Sequence, residues 1–227
     1  MSHGKMLPIA CLLALTLGTS LSVHASENSF TKAYSDYQAA VEKGDAAKIE
    51  ASAKIAYQLG EAQYAKDSVD LANLALNWAS AIEKQVAPYP FTEKNLPKTA
   101  KANELYQLAL ANYKVHYGKK ALELIDPLLG AAQTAVEAKD AKEDFLTAIA
   151  IAEKSDKKKL IADVKMAAFN RLSHTQLYTS SVRRYAFDAY DIYKEILPEN
   201  AIDRVKATFT VGAVEFADKH DGKAEPL

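Results

Sequence analysis

The chain has 227 residues, 25% of them charged, and a formal net charge of −1. A chain so close to neutral offers no basic surface to nucleic acid, so that class of partner is excluded on electrostatic grounds. Its one cysteine is Cys11, which excludes an intramolecular disulfide and a metal site built from several cysteines.

The first residues have the pattern of a secretory signal peptide, predicted over residues 1–25. Lys5 precedes an apolar stretch that runs from Leu7 to Val23. Val23 and Ala25 are small residues at the two positions that a signal peptidase reads. We predict cleavage after Ala25 and export to the periplasm, which also removes the only thiol. The alternative is an uncleaved anchor, but the stretch is shorter than the roughly 20 residues that span a bilayer. No membrane span is expected after cleavage.

The rest of the chain has a helix-forming composition, rich in alanine, leucine, lysine and glutamate and poor in glycine and proline. Apolar residues recur at three- and four-residue spacing, as in Leu71, Leu74 and Trp78, which lays an apolar stripe on one helical face. We predict an all-α domain over residues 26–220 and a frayed tail over 221–227. About nine helices are predicted, at 28–43, 46–64, 68–85, 99–117, 121–138, 140–154, 158–174, 178–196 and 199–218.

Glycine, aspartate and proline mark the turns between these helices. Gly44 is predicted to end the first helix and Asp45 to cap the second, because glycine tolerates a left-handed backbone and aspartate accepts from free helical N–H groups. Three prolines within residues 86–98 predict a loop. Pro127 falls inside the helix predicted at 121–138, so that helix either starts late or is kinked.

The helical pattern repeats along the chain. Ala56, Ala109 and Ala189 are each followed by a tyrosine, a turn and a pair of apolar residues, and a weaker copy begins at Ala148. Successive copies are 53, 39 and 41 residues apart, and the first interval contains the proline-rich segment. Two-helix units of this length bury their apolar stripes by stacking, which predicts an α-α superhelix, or α-solenoid.

The repeat motif contains alanine, two tyrosines and glycine at Ala109, Tyr113, Tyr117 and Gly118, and an acidic-apolar helix follows. It resembles the longer tetratricopeptide units of the kinesin-light-chain type. The resemblance implies a tetratricopeptide-like superhelix in which Gly118 ends a helix. The exported, alanine- and tyrosine-rich repeat is also similar to the helical extension of some TonB-type envelope proteins, which implies a role as an accessory of a TonB-type transport system.

Residues typical of catalytic or metal sites are not arranged as such sites require. His116, His174 and His220 are 58 and 46 residues apart, without a metal-binding HExxH pattern. Phosphate-binding glycine loops and the GxSxG nucleophile motif are missing from the sequence. The hydroxyl run from Thr179 to Ser181 reads as a helix N-cap. We therefore predict no catalytic residue, no cofactor, no metal site and no enzymatic activity.

Five residues of the first half are candidates for contact with a partner. Asn73 and Asn77, one helical turn apart beside Trp78, are predicted to line a concave face and hold a peptide backbone. The alternative for the two asparagines is an ordinary solvated face. Tyr89 and Phe91 lie in the proline-rich loop, where they either dock a partner or fold over the adjacent helices.

Two arginines of the second half complete the candidate set. Arg183 and Arg184 lie among tyrosines, and arginine and tyrosine are the residue types that anchor interfaces. The alternative is an ion pair with Asp188, one turn away. Together these features predict a non-enzymatic periplasmic scaffold that binds an envelope or periplasmic protein. The alternatives are a carrier for a peptide or small ligand and a TonB-type accessory.

Overall fold

The computed structural model describes residues 21–87 and 89–221, and within this part the protein is all-α, without strands. The predicted fold class is therefore confirmed. The signal peptide predicted at 1–25 lies outside the described residues, except that its last residues begin the first helix, and the predicted tail lies outside them beyond Asp221. The helices are α1 (Leu21–Lys43), α2 (Ala46–Gln63), α3 (Val69–Val86), α4 (Leu96–Tyr117), α5 (Ile125–Thr134), α6 (Ala138–Ala152), α7 (Lys158–Leu172), α8 (Ser180–Ile196) and α9 (Ile202–Asp221).

The described residues divide into two compact units at residues 136 and 137. In the first unit, α1 packs on α2, α2 on α3, α3 on α4 and α4 on α5, and α3 also contacts α5. In the second unit, α6 packs on α7, α7 on α8 and α8 on α9. Packing between sequence neighbours is the arrangement that the helical repeat predicts. The single domain over residues 26–220 stays a prediction.

Local capping chemistry explains why the helices end where they do. Gly44 has φ of +68° and Gly118 has φ of +89°, the left-handed region that glycine adopts without a steric penalty. The Asp45 carboxylate accepts from the backbone N–H of Lys48 at the start of α2. The Thr179 hydroxyl accepts from the N–H of Val182 at the start of α8. These caps were all predicted from the sequence.

Prolines explain two of the differences between the predicted and the observed helix boundaries. The helix predicted at 121–138 starts late, since a short 3₁₀ turn over Leu122–Leu124 precedes α5. Pro127 then lies in the first turn of α5, where its missing N–H breaks no helical hydrogen bond. The helix predicted at 99–117 begins earlier, at Leu96, because Pro97 likewise fits a first turn.

A close approach between α4 and α5 shapes the first unit. The Tyr106 ring of α4 lies directly over Gly130 of α5, so that a Cβ atom at residue 130 would overlap the ring. Glycine at this position allows a large aromatic side chain to be fully buried between two helices. The contact holds α5 closely against α4.

Candidate functional site

One face of α3 is polar, and the opposite side of the helix is buried. The polar face of α3 consists of Asp70, Asn73, Asn77, Ser80 and Lys84, spaced three or four residues apart. These side chains are half-buried, apart from Lys84, which is exposed. Because α2 and α4 both pack on α3, this strip is partly shielded by its neighbours. The two predicted asparagines thus lie on one shared face.

Asn73 is held by an internal contact. The Tyr113 hydroxyl of α4 donates a hydrogen bond to Oδ1 of Asn73. Burial raises the pKa of Tyr113 to about 12, so its hydroxyl remains a donor at neutral pH. Asn73 is therefore neither a simply solvated residue nor a fully available ligand, because its carbonyl oxygen joins α3 to α4.

Asn77 is the more available of the two asparagines. Its side chain is half-buried and makes no hydrogen bond with any other described residue. A side-chain amide presents a carbonyl acceptor and an N–H donor, the pair of groups that matches a peptide backbone. Asn77 therefore keeps its carbonyl and its N–H groups available to a ligand. Asn73, one turn away, already accepts a hydrogen bond from Tyr113.

Trp78 belongs to the core and does not share this face. It is 8% exposed, because one residue of helix rotates it by about 100° from Asn77. The Tyr57 ring lies 5.4 Å from the Trp78 ring, and Nζ of Lys101 lies 5.3 Å from its centroid. The indole N–H of Trp78 is buried without a hydrogen-bond partner in the described part of the chain. The fold therefore places Trp78 on a different face of α3 from Asn73 and Asn77, with which the sequence had grouped it.

A half-buried acid, Glu83, lies at the other end of the α3–α4 contact, and the sequence analysis did not predict it. The Tyr106 hydroxyl donates to Oε2 of Glu83 at 2.5 Å. Desolvation raises the pKa of Glu83, and the hydrogen bond from Tyr106 lowers it by a smaller amount. Burial beside Glu83 raises the pKa of Tyr106 well above its usual value. The sequence feature that could have indicated this contact is the spacing of Tyr106 and Tyr113, which lie two turns apart on α4.

The loop between α3 and α4 is tied down and presents an aromatic side chain to solvent. The Asn95 side chain donates to the Tyr89 carbonyl at 2.9 Å, and the Thr99 hydroxyl donates to the Pro90 carbonyl at 2.6 Å. The backbone N–H of Tyr89 donates to the Val86 carbonyl at 3.0 Å. Tyr89 is nevertheless 70% exposed. Its side chain does not fold over the adjacent helices.

Phe91 shares this loop with Tyr89 but is less open to solvent. Its side chain is 36% exposed, against 70% for Tyr89. The structure therefore keeps Tyr89 and Phe91 on one short loop directly after α3. They lie on the same segment as the C-terminal end of the polar face of α3, where Lys84 is exposed.

The two predicted arginines lie in the second unit and differ from one another. The Arg183 guanidinium stacks over the Phe187 ring at 5.4 Å. Nε of Arg184 lies 3.5 Å from an oxygen of Asp188, so the ion pair that the sequence offered as an alternative is formed at Arg184. Asp188 also accepts from Lys165 at 2.8 Å. Both arginines are thus engaged within α8.

Ionic contacts join the helices of the second unit, and the sequence did not predict them. Lys165 of α7 bridges Glu153 at the end of α6, at 2.9 Å, and Asp188 of α8. Elsewhere on α7, Asp163 accepts from the Tyr193 hydroxyl of α8 at 2.7 Å. In each pair the two polar groups lie on different helices and bond to each other, which is typical of contacts that stabilise a fold.

The described ranges contain no cluster of three metal-binding side chains, and none of their helices is long and apolar enough to cross a membrane. A comparison with protein-family models found no match to this chain, and a comparison with curated proteins found none either. The tetratricopeptide and TonB-type resemblances therefore stay expectations from the sequence.

Proposed function

We propose that this chain is a non-enzymatic helical-repeat scaffold that is exported to the periplasm and binds another protein of the cell envelope. The observation that carries the proposal is the α3–α4 loop, which is held by three hydrogen bonds and still directs Tyr89 into solvent. An exposed aromatic ring on a backbone that is already fixed is a suitable anchor for a partner.

Preorganisation makes Tyr89 a suitable anchor for a partner. Ordering a loop on binding costs free energy, and a loop already fixed by internal hydrogen bonds avoids most of that cost. Tyrosine is enriched among the residues that dominate binding energy, because its ring buries a large apolar area and its hydroxyl keeps a polar contact. Tyr89 therefore offers an apolar ring and a polar hydroxyl on a backbone that is already fixed.

The polar face of α3 indicates the kind of partner. It leads from Asn77 past Lys84 to the loop that carries Tyr89. An extended protein segment along this path would place backbone amides at Asn77 and a hydrophobic side chain against Tyr89. The carrier alternative would need open space beside Trp78, but Tyr57 and Lys101 cover that ring.

A photo-reactive amino acid at position 89, introduced in living cells, tests the proposal. We expect a covalent adduct with one envelope protein, and no such adduct from the same group at Tyr178, an exposed tyrosine of the second unit. Binding of the captured protein is then compared for the wild type and Tyr89→Ala. A hot-spot residue contributes about 2 kcal/mol or more, so we expect Kd to rise roughly thirtyfold.

The control for this measurement is Tyr178→Ala, which should leave Kd unchanged. Circular dichroism spectra of both variants check that the helical fold is intact. Equal binding by the wild type and Tyr89→Ala, or equal crosslinking from positions 89 and 178, would contradict the proposed binding surface.

A further inference from the structure

The last described helix, α9, has apolar residues on two opposite faces. Ala207, Val211 and Val214 form the buried face that belongs to the core of the second unit. The opposite face carries the α9 stripe, which consists of Ile202, Val205, Phe209 and Phe216. Phe209 is 76% exposed and Phe216 is 65% exposed. The spacing of three, four and seven residues is that of a helix-pairing seam.

The first described helix, α1, has an outer face of a different composition from that of α9. Its exposed positions are mostly polar or charged, and they include Thr31, Lys32, Ser35, Asp36 and Glu42. A polar outer face is what a helix needs in order to remain in water on the side that no other helix covers. The outer face of α9 has the opposite character. Phe209 and Phe216 in particular give it the composition of an internal contact surface.

We propose that two copies of this chain pair through the α9 stripe, with their α9 helices antiparallel. Gly212 lies between Phe209 and Phe216 on this side, is exposed, and has nothing near the place of a Cβ atom. Together with Ala213 it leaves a shallow depression in the stripe. A Phe209 ring from a second copy fits this depression, and a two-fold axis places the first copy's ring in the equivalent one.

The same two-fold axis also pairs the rest of the α9 stripe. When Phe209 opposes Gly212 of the second copy, Val205 opposes Phe216, and both pairs occur twice because the interface is isologous. The flanking residues on either side of the seam do not oppose like charges, since Lys206 then lies beside Ala213. Self-complementarity of shape, without a like-charge pair across the seam, favours a second copy over an unrelated helix.

The size of the surface predicts a weak dimer. A 20-residue helix is about 30 Å long, and one face of it buries on the order of 500 Å² per copy. The total of about 1,000 Å² lies at the low end for specific interfaces. We therefore expect dissociation in the micromolar range and a dimer that forms as concentration rises. This inference goes beyond the proposed function, because it uses a different helix in the other unit.

Sedimentation equilibrium of the purified chain over a wide concentration range tests the pairing. The weight-average mass of the wild type should rise towards twice the mass of one chain. Phe209→Glu should remain monomeric, because two carboxylates would be buried in the seam. The matched control is Val115→Glu, since Val115 is also 76% exposed on a helix, α4. This variant should dimerise like the wild type.

Three outcomes would overturn the pairing. The first is a wild-type mass that stays monomeric at every concentration, and the second is a Phe209→Glu variant that dimerises normally. The third is a monomer that uses Phe209 to bind a different protein. Loss of partner capture through Tyr89 would leave the dimer measurement unaffected, so the two proposals fail independently.

Disulfide formation tests the antiparallel orientation in a Cys11→Ser background. A mixture of Thr208→Cys and Glu215→Cys chains should form a mixed disulfide, because these positions lie within about 3 Å of each other along the helix axis in the proposed register. Ala217→Cys alone should not crosslink, because the two copies of residue 217 would be about 20 Å apart. Efficient crosslinking of Ala217→Cys would show a parallel pair and overturn this geometry.

Discussion

Two tyrosines of α4 determine how the polar groups of α3 are used. Tyr113 donates to Asn73 and Tyr106 donates to Glu83, so each hydroxyl satisfies a side chain that would otherwise be desolvated without a partner. A buried polar group without a hydrogen bond costs about 1–3 kcal/mol. The tyrosines thus stabilise the α3–α4 contact and leave Asn77 as the polar-face amide with both of its groups available.

Glu83 makes the stability of the first unit depend on pH. Its folded-state pKa is raised, chiefly by desolvation, so the folded state binds its proton more tightly than the unfolded chain does. The free energy of unfolding contributed by this group is therefore highest at low pH and falls as pH rises above the unfolded value of about 4.3.

We expect Glu83→Gln to remove this dependence and keep an acceptor for Tyr106. The free energy of unfolding of the wild type, measured by denaturant titration, should fall relative to that of Glu83→Gln between pH 4 and the raised pKa. The exposed Glu93→Gln is the control substitution. A difference between wild type and Glu83→Gln that stays constant with pH would contradict the prediction.

At the scale of the helices, glycine has opposite effects in α5 and α9. Gly130 lies under the Tyr106 ring, whereas Gly212 faces open space on α9. Both are helical, so alanine at either position gains up to about 1 kcal/mol of helix propensity. Only at residue 130 does the added methyl group meet a buried ring, and overpacking costs about 1–3 kcal/mol.

We therefore expect Gly130→Ala to lower the free energy of unfolding by about 1–2 kcal/mol, because the clash exceeds the gain in propensity. Gly212→Ala should raise it by up to about 1 kcal/mol when measured at low protein concentration. Denaturant titration of both variants gives the comparison. Stabilisation by Gly130→Ala would show that the Tyr106 ring moves aside easily.

At the scale of the whole molecule, the contacts are local in sequence. Within each unit the helices pack mainly on their neighbours along the chain. Proteins with mostly local contacts fold fast, in microseconds to milliseconds, because little loop entropy is lost before contacts form. The described part of the chain contains no strands, so slow non-local strand pairing does not arise there.

We expect most of the helical signal to return within milliseconds when denaturant is diluted in a stopped-flow experiment. A small slow phase from proline isomerisation, on a scale of tens of seconds, is compatible with this result and should be accelerated by a prolyl isomerase. A main phase slower than one second that the isomerase does not accelerate would contradict local folding.

The sequence by itself determined the all-α class, the order of the helices and the caps at Gly44, Asp45, Gly118 and Thr179. Helical periodicity and capping are local, since they depend on residues within one or two turns. Even the late start of α5 was one of two alternatives that Pro127 allowed. The location of the candidate surface was partly predictable, because Asn77 and Tyr89 are accessible as their spacing and loop position suggested.

Only the tertiary structure decided which neighbouring residues share a surface. Trp78 follows Asn77 in sequence, yet it packs in the core under Tyr57, and Asn73 is occupied by Tyr113. The ion pairs of α7 and the exposed stripe on α9 likewise follow from which helix faces are covered. Whether a helix face is covered depends on contacts with residues of other helices, and the pattern within one helix does not specify those contacts.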